Sequence, residues 1–354
     1  MHRKKIIIKT ENMLTKIIKE ESIQQAHKLL KIHNNIVIIT HISPDGDALG
    51  SALGLYWFLQ EMEKEVTVVV PNPFPDFLKW LDGSDKIVIF TENKELAENT
   101  IKNAELLFFL DFNTMNRING LKNIAIDAQG DKILIDHHPH PDIFCNVKIS
   151  HPEVSSTSEL IFRFICRLGL FEKMTLSVAE CIYTGMMTDT GNFSFNSQSP
   201  EIYFIIQELL QLGINKDEIY RKVYNTSSVD RTRLMGYCLS KKMKIYREQK
   251  AAVMYLTLNE LEQFNYQVGD SEGFVNIPLS IKDIDISIFV RQDKDKIKIS
   301  FRSQGDFPVN KIAEDFKGGG HINAAGGESY HSMSKTLMQI EEAILNKEKY
   351  ILER

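Results

Sequence analysis

Aspartate and histidine cluster at four places in this chain, and three of the four directly follow a short apolar run. The first is His41-Ile-Ser-Pro-Asp45-Gly-Asp47-Ala-Leu-Gly-Ser51, after the β-branched run Ile36–Thr40. Pro44 and Gly46 make it a tight loop. The second, Phe109-Leu110-Asp111-Phe112-Asn113, sets one carboxylate at the end of an apolar run, and the third is Ile133-Leu134-Ile135-Asp136-His137-His138-Pro139. In the fourth, Tyr183-Thr-Gly-Met-Met-Thr-Asp189-Thr-Gly191-Asn-Phe193, an apolar helix runs into a polar glycine turn. Hard carboxylates mixed with imidazoles suit Mn²⁺ or Mg²⁺, and less exclusively Zn²⁺ or Fe²⁺. Asp45 and Asp47, two apart on an extended loop, can face two neighbouring ions. Two ions about 3.5–4 Å apart are a standard device for phosphoryl hydrolysis, one activating water and both neutralising the phosphate. The candidate ligands are His41, Asp45, Asp47, Asp111, His137 and Asp189.

Each segment alone has an ordinary explanation. An Asp after a strand usually caps a helix or closes a turn, and adjacent histidines occur on surfaces by chance. Four such segments in one α/β frame make joint coincidence the weaker account.

The elements that must position these residues can be read from periodicity. Ile36–Thr40, Val66–Val70, Ile87–Phe90, Leu106–Leu110 and Ile133–Ile135 are continuous apolar runs. Runs of that kind suit strands buried on both faces, the mark of a parallel sheet, and carboxyl ends of such strands are where open α/β sheets bind ligands. Helical spacing covers Ser158–Leu168, Ser177–Met187 and Glu201–Leu212, the last ended by Gly213. Gly50 and Gly54 let the helix after the first loop pack closely. The expected fold is α/β: a mostly parallel sheet flanked by helices over residues 1–230, of which 1–20 is a leader. A linker follows over 231–246, then a smaller α/β domain over 247–354. Within the latter, Ile284–Arg291 and Lys296–Arg302 alternate around Gln292–Asp295 as a β-hairpin, and a helix near Ser332–Leu345 closes the chain.

Bulk properties narrow the function. The net charge of −5 provides no global basic field for long nucleic acid. Cys145, Cys166, Cys181 and Cys238 form no C-x-x-C pair, which speaks against a zinc knuckle and suits a reducing cytoplasm. No apolar run approaches the roughly 20 residues that span a bilayer. The expectation is a soluble, cytoplasmic protein with no membrane partner; a homodimer is compatible with it.

His41…Asp45-Gly-Asp47, Asp111, Asp136-His137-His138 and Asp189 together resemble the four motifs of the DHH phosphoesterases, in order and spacing, over roughly residues 20–230. The resemblance implies that His41, Asp45 and Asp111 hold one metal. It implies that Asp47, Asp111, His137 and Asp189 hold the other, with Asp111 bridging. It further implies that His138 contacts the phosphate or donates a proton to the leaving oxygen, with Asp136 orienting it.

Downstream lie Lys298-Ile-Ser-Phe-Arg302-Ser303 and Phe316-Lys317-Gly318-Gly319-Gly320-His321-Ile-Asn323. Consecutive glycines expose N–H groups to an anion, and Arg302 and His321 add directed charge. Alone, such a glycine run is as often a flexible loop. With Arg302 and Ser303 upstream it resembles the DHH-associated domain. That likeness implies that Arg302, Ser303, Gly319, Gly320 and His321 grip substrate across a cleft.

The pairing is most similar to the bacterial nanoRNase/pAp-phosphatase group. This implies two divalent ions, most simply Mn²⁺. The implied substrates are oligonucleotides of about 2–5 nucleotides or 3′-phosphoadenosine 5′-phosphate (pAp). The chain shows neither the added OB-type domain nor the basic channel expected of a nuclease for long single strands. Competing readings are an inorganic pyrophosphatase, a dinucleotide phosphodiesterase, and a non-catalytic nucleotide-binding module with a degenerate site. Arg117 as a phosphate contact and Ser155–Ser158 as either an N-cap or a site neighbour are further candidates.

Overall fold

In the computed structural model, which describes residues 14, 16–142 and 145–351, the chain divides into two units with the break after Thr226. Most of the proposed leader, residues 1–13 and 15, lies outside the described residues. The first unit runs α1 (Glu20–Ile32), β1 (Asn35–Ile39), α2 (Gly46–Gln60), β2 (Glu65–Val70), β3 (Val88–Ile89), α3 (Lys94–Lys102) and β4 (Leu106–Leu110). It continues with α4 (Lys122–Asp127), β5 (Asp131–Asp136), β6 (Val147–Ser150), α5 (Thr157–Arg167), α6 (Leu176–Asp189), α7 (Pro200–Gln211) and α8 (Lys216–Tyr224).

Its six strands are parallel, in the order β3-β2-β1-β4-β5-β6. The continuous apolar runs arise because both faces are covered. Ile36, Ile38, Leu106, Phe108 and Leu110 enter one core cluster, while Val37, Ile39, Leu107 and Phe109 enter another. Burying each such side chain contributes about 1.5–3 kcal/mol. Helix α2 is buried on nearly every side and packs against α6 through glycine. A β-carbon on Gly50 would lie 2.6 Å from the Cys181 carbonyl oxygen and 2.8 Å from the Gly185 Cα. Gly213, with φ +98°, ends α7 as the sequence suggests.

The second unit runs α9 (Val229–Lys241), β7 (Met243–Tyr246), β8 (Ala251–Leu256), α10 (Leu258–Gln263), β9 (Ile286–Gln292) and β10 (Ile297–Ser303). It ends with α11 (Val309–Glu314), β11 (Gly319–His321), β12 (Ala324–Ser329), α12 (Met333–Leu345) and α13 (Glu348–Ile351). The sheet order is β11-β12-β10-β9-β8-β7, antiparallel except between β8 and β9. One face packs Ile288, Ile299 and Phe301 on Ile312, Ile340 and Ile344. Part of the other packs Met254, Leu256 and Phe289 on Leu234, Cys238 and Phe274.

Residues 231–246, set apart in the sequence as a linker, form most of α9 and all of β7. Leu234 and Cys238 make an i, i+4 apolar pair just after the polar residues 224–233, and both are buried on one side of the helix. Among the described residues no helix is long and apolar enough to cross a membrane.

Gly50→Ala is expected to lose about 1–3 kcal/mol through overpacking against backbone. Gly236→Ala, on α9 with nothing within 4 Å of a new β-carbon, is expected to gain about 0.5–1 kcal/mol. Urea unfolding of both variants checks this; unchanged stability in Gly50→Ala would contradict the close α2–α6 packing.

Candidate metal centre

The sheet order reverses direction between β1 and β4, and the crevice outside the carboxyl ends at such a reversal is the natural ligand position of an open α/β sheet. His41 follows β1, Asp111 follows β4, and Asp136 ends β5 with His137 and His138 just beyond it.

Each side chain is held by its own local structure. Asp45 is the N-cap of α2, its Oδ1 accepting from the Asp47 and Ala48 amides at 3.1 Å each. The ordinary capping role and a place in the cluster therefore coexist. Asp47 lies in the first turn of α2, yet its carboxylate is gripped by the start of α5. Thr157 N donates to its Oδ2 at 2.6 Å and Ser158 N to its Oδ1 at 2.9 Å. That helix start is capped in turn by Ser156, whose Oγ accepts from Glu159 N. The positive end of α5 thus faces a carboxylate. Gly185 of α6 permits the arrangement, since a β-carbon there would fall 1.9 Å from Ser158 Oγ and 2.9 Å from Asp47 Oδ1.

Asp111 adopts φ +67°, a left-handed conformation uncommon outside glycine. Its amide still donates to the Ile135 carbonyl at 3.2 Å, and Thr157 Oγ1 donates to its Oδ1 at 2.8 Å. Strain of roughly 1–3 kcal/mol at such a residue is typical of functional sites.

The carboxylates and imidazoles converge. His41 Nε2 lies 3.4 Å from Asp111 Oδ2 and 3.8 Å from Asp45 Oδ1. His137 Nε2 lies 3.5 Å from Asp189 Oδ2, 3.6 Å from Asp111 Oδ1 and 3.9 Å from Asp47 Oδ2. His138 Nδ1 donates to Asp136 Oδ1 at 2.8 Å, and His41 Nδ1 donates to the Ile42 carbonyl at 2.8 Å, which turns its Nε2 toward Asp45 and Asp111. His41, Asp47, Asp111, Asp136 and His137 are all buried.

The electrostatics are those of a site built for positive charge. Burial raises the Asp47 carboxyl, and the charges of Asp111 and Asp189 push it further, well above the usual carboxylate range. Burial would also raise Asp111, but His41, His138 and His137 hold it well below that range. Burial would lower the His41 imidazole, yet Asp111 and Asp45 outweigh it and hold it at about 10. His137 is raised likewise, the charges of Asp111, Asp47 and Asp136 exceeding the effect of burial.

The residues present fit a divalent ion. The 3.4–3.9 Å spacings exceed hydrogen-bond length and suit donors that each sit about 2.0–2.3 Å from a shared cation. Within the first unit, three groups of described residues converge tightly enough: His41 with Asp45 and Asp111; Asp47 with Asp111 and His137; Asp111 with Asp136 and His138. Asp136 Oδ2 is buried without a hydrogen-bond partner, a situation that costs about 1–3 kcal/mol, more for a charged group. Asp111 belongs to all three groups.

Sequence reasoning gave Thr157 and Ser158 no definite role. The Ser155–Ser158 run reads as an N-cap, and only the fold shows that the capped amides point at Asp47. The Arg117 carbonyl accepts from Ile42 N at 2.7 Å, so this residue braces the His41 loop through its backbone. His140 is exposed, and His151 pairs with Glu153 at 2.9 Å.

In the second unit, Arg302 and Ser303 point to opposite faces of β10. Ser303, expected beside Arg302, instead donates to the Phe307 carbonyl at 2.7 Å and accepts from Asn323 Nδ2 at 2.9 Å. Strand alternation dictates this. The glycine run is strand rather than loop: Gly319, Gly320 and His321 pair with Gly326, Ala325 and Ala324. Gly319 has nothing within 4 Å of a β-carbon position, so its backbone is open to a ligand.

Comparison with known proteins bears on this geometry. Residues 35–186 match the DHH family, N-terminal domain, and residues 248–347 match the DHHA1 domain. The bifunctional oligoribonuclease and PAP phosphatase NrnA of Thermus thermophilus is 31% identical over 85% of this chain and 86% of its own length. The protein of the same name from Bacillus subtilis is 27% identical over 86% of this chain and 92% of its own. The crystal structure of an exopolyphosphatase-related protein from Bacteroides fragilis superposes with TM-score 0.92 at 53% identity, covering 96% of this chain and 100% of that one. RecJ from Thermus thermophilus, solved with Mn²⁺, shares the fold at TM-score 0.56 and 13% identity, covering 94% of this chain and 56% of that one. With a relative above 30% identity over most of both chains and two family domains in sequence, the chain belongs to the DHH family, with a DHHA1 domain following the DHH domain.

Proposed function

We propose that this protein is a two-metal phosphoesterase that hydrolyses very short oligonucleotides to mononucleotides, pAp to AMP, or both. The observation that carries the reading is the sharing of buried Asp111 among the three candidate cation-holding groups formed within the first unit, at the sheet's switch point. His41, Asp45 and Asp111 would hold one ion. Asp47, Asp111, His137 and Asp189 would hold the other, and the oxygen-rich donor set favours Mn²⁺ or Mg²⁺. When bound, such ions neutralise phosphate charge and make water nucleophilic near neutral pH.

The chain's own residues do the rest. The α5 amides fix the Asp47 carboxylate. Asp136 holds His138 by Nδ1, orienting the imidazole to contact the phosphate or donate a proton to the leaving oxygen. Residues 1–230 carry this chemistry. The second unit supplies recognition through Arg302, Gly319, Gly320 and His321, with Ser303 tying the turn at Phe307, before α11, to Asn323, which follows the glycine strand. Relatives named oligoribonuclease and PAP phosphatase support the choice of substrate. Cys145, Cys166, Cys181 and Cys238 form no disulfide, consistent with a reducing cytoplasm. The 53% identical exopolyphosphatase-related protein favours one second reading, attack on the end of an inorganic polyphosphate.

A timed digest with Mn²⁺ tests these readings, using a labelled series from two to about twenty-four nucleotides alongside pAp and polyphosphate. Substrates of about two to five nucleotides should disappear fastest. Preference for the longest strands would contradict the proposal, and preference for polyphosphate would select the second reading.

Asp111→Asn should cost more activity than Asp136→Asn, because a residue that orients a ligand typically costs ~10–100-fold. Equal losses would remove the shared role from Asp111. Arg302→Ala should keep metal content normal and lower kcat/KM for short oligonucleotides. It should do so more than for an aryl phosphodiester, which lacks the distal groups a planar guanidinium would grip. Equal loss on both substrates, in a folded and metallated protein, would move Arg302 to the reacting phosphate.

A further inference from the structure

The connection from β4 to α4 carries Asn119-Gly120, the single Asn-Gly dipeptide of the sequence. Asn119 adopts φ +46° and ψ −119°. That is the first corner of a type II′ turn, which glycine fills with least strain and asparagine tolerates. Around the Cα–C bond of an L-residue, Cβ stands roughly 120° from the backbone nitrogen, on the negative-ψ side. At ψ −119° the Gly120 nitrogen therefore eclipses the Asn119 Cβ. Cβ, Cα, the carbonyl carbon and that nitrogen then share nearly one plane, as they do in a succinimide ring. The ring's remaining atom is Cγ of Asn119, whose side-chain amide makes no hydrogen bond among the described residues.

Gly120 supplies the least hindered nucleophile, since no side chain flanks its nitrogen. Packing keeps a glycine there, because a β-carbon would fall 2.6 Å from Phe90 Cε1. Both residues are exposed, so water and hydroxide reach them. Asn192, Asn196 and Asn265 also have positive φ, but Phe193, Ser197 and Tyr266 follow them, and those side chains crowd the attacking nitrogen.

The same loop braces the crevice of the first unit. Two residues before Asn119, the Arg117 carbonyl accepts from Ile42 N at 2.7 Å, beside His41. Asn113 Nδ2 donates to the Pro139 carbonyl at 2.6 Å, beside His138, and the Asn113 carbonyl accepts from Asp142 N at 3.0 Å. On the other side, Lys122 N donates to the Asn119 carbonyl, and Lys122 Nζ donates to Asn116 Oδ1 at 2.8 Å.

We infer that Asn119 is a site of spontaneous deamidation, preset by its backbone, and that its isoaspartate product loosens the brace on His41. The Gly120 nitrogen gives its proton to hydroxide and attacks Asn119 Cγ. The bond from Cγ to that nitrogen forms, the Cγ–Nδ2 bond breaks, and ammonia leaves with a proton from water. Water then opens the imide. Opening at Cγ leaves aspartate. Opening at the backbone carbonyl carbon leaves isoaspartate, with an extra methylene in the main chain. The former acceptor of Lys122 N is then a free carboxylate, and the path of the chain just beyond Arg117 has changed. The reaction is independent of the proposed function; only the consequence for His41 rests on the metal reading.

The test ages the full chain at mildly alkaline pH beside the free peptide Arg-Ile-Asn-Gly-Leu-Lys, the sequence of residues 117–122. Peptide mapping reads the mass change of NH₂ replaced by OH, and an isoaspartate-specific methyltransferase marks the rearranged product. Position 119 should convert at least as fast in the folded chain as in the peptide, and faster than Asn192, Asn196 and Asn265. The rate should rise with hydroxide concentration. By equilibrium dialysis, the converted fraction should bind Mn²⁺ about tenfold or more weakly than fresh protein, as when other groups that orient a ligand are lost. Asn119→Gly suits the left-handed backbone and lacks the reacting carbon, so this variant should keep its affinity through the same ageing. Slower conversion at 119 in the folded chain than in the peptide would overturn the preset geometry. Unchanged affinity in the converted chain, or an equal decline in aged Asn119→Gly, would overturn the brace. Fresh protein that binds no Mn²⁺ would count against the proposed function and overturn the brace with it, while the conversion rates would still decide the modification site.

Discussion

Crowding of carboxylates around Asp111 is the constraint on which the first unit depends. Asp45, Asp47, Asp136 and Asp189 converge with it on one crevice, and the charges that steady Asp111 are the imidazoles of His41, His137 and His138. Bringing like charges together under burial opposes folding, as the raised Asp47 carboxyl shows. The chain offsets that cost with fixed dipoles: the first amides of α5 on Asp47, the Thr157 hydroxyl on Asp111, and the capping geometry of Asp45. Divalent cations would remove the repulsion altogether. The same ions that serve the chemistry would then be expected to stabilise the fold, since a ligand bound by the folded chain alone shifts the folding equilibrium.

The surrounding architecture follows from that requirement. A parallel sheet buried on both faces delivers β1, β4 and β5 side by side, so residues distant in sequence end at one level. Close packing of α2 on α6, possible because Gly50 and Gly185 lack side chains, brings Asp47 and Asp189 to the same crevice. Ser156, as the cap of α5, aims two amides at Asp47. The second unit uses another logic: an alternating strand that buries Ile299 and Phe301 on one face leaves Lys298 and Arg302 on the other.

Much of this was legible in the sequence, for identifiable reasons. Buried parallel strands write themselves as unbroken apolar runs, and each of the five the sequence displays contains a strand, the edge strand β3 only half-buried. The acidic and histidine motifs were visible because each stands where an apolar stretch stops. What was hidden depends on contacts across the fold. Thr157 and Ser158 reach Asp47 over more than a hundred residues of chain. The short β6 gave no run long enough to notice. Leu234 and Cys238 follow the polar residues 224–233 closely enough to read as a connecting segment until their burial in the second unit is seen. Ser303 follows Arg302 in sequence and so suggests a shared role, which strand alternation forbids.

The central claim is that this crevice holds two divalent ions through one shared carboxylate. Equilibrium dialysis of chelator-treated protein against Mn²⁺, with bound metal counted per chain and melting followed in parallel, tests it most directly. The account predicts two ions per chain in the unmodified protein, a rise in Tm on binding, and loss of more than one ion's worth of affinity in Asp111→Asn. A stoichiometry of zero or one, or two ions retained at full affinity by a folded Asp111→Asn variant, would contradict it.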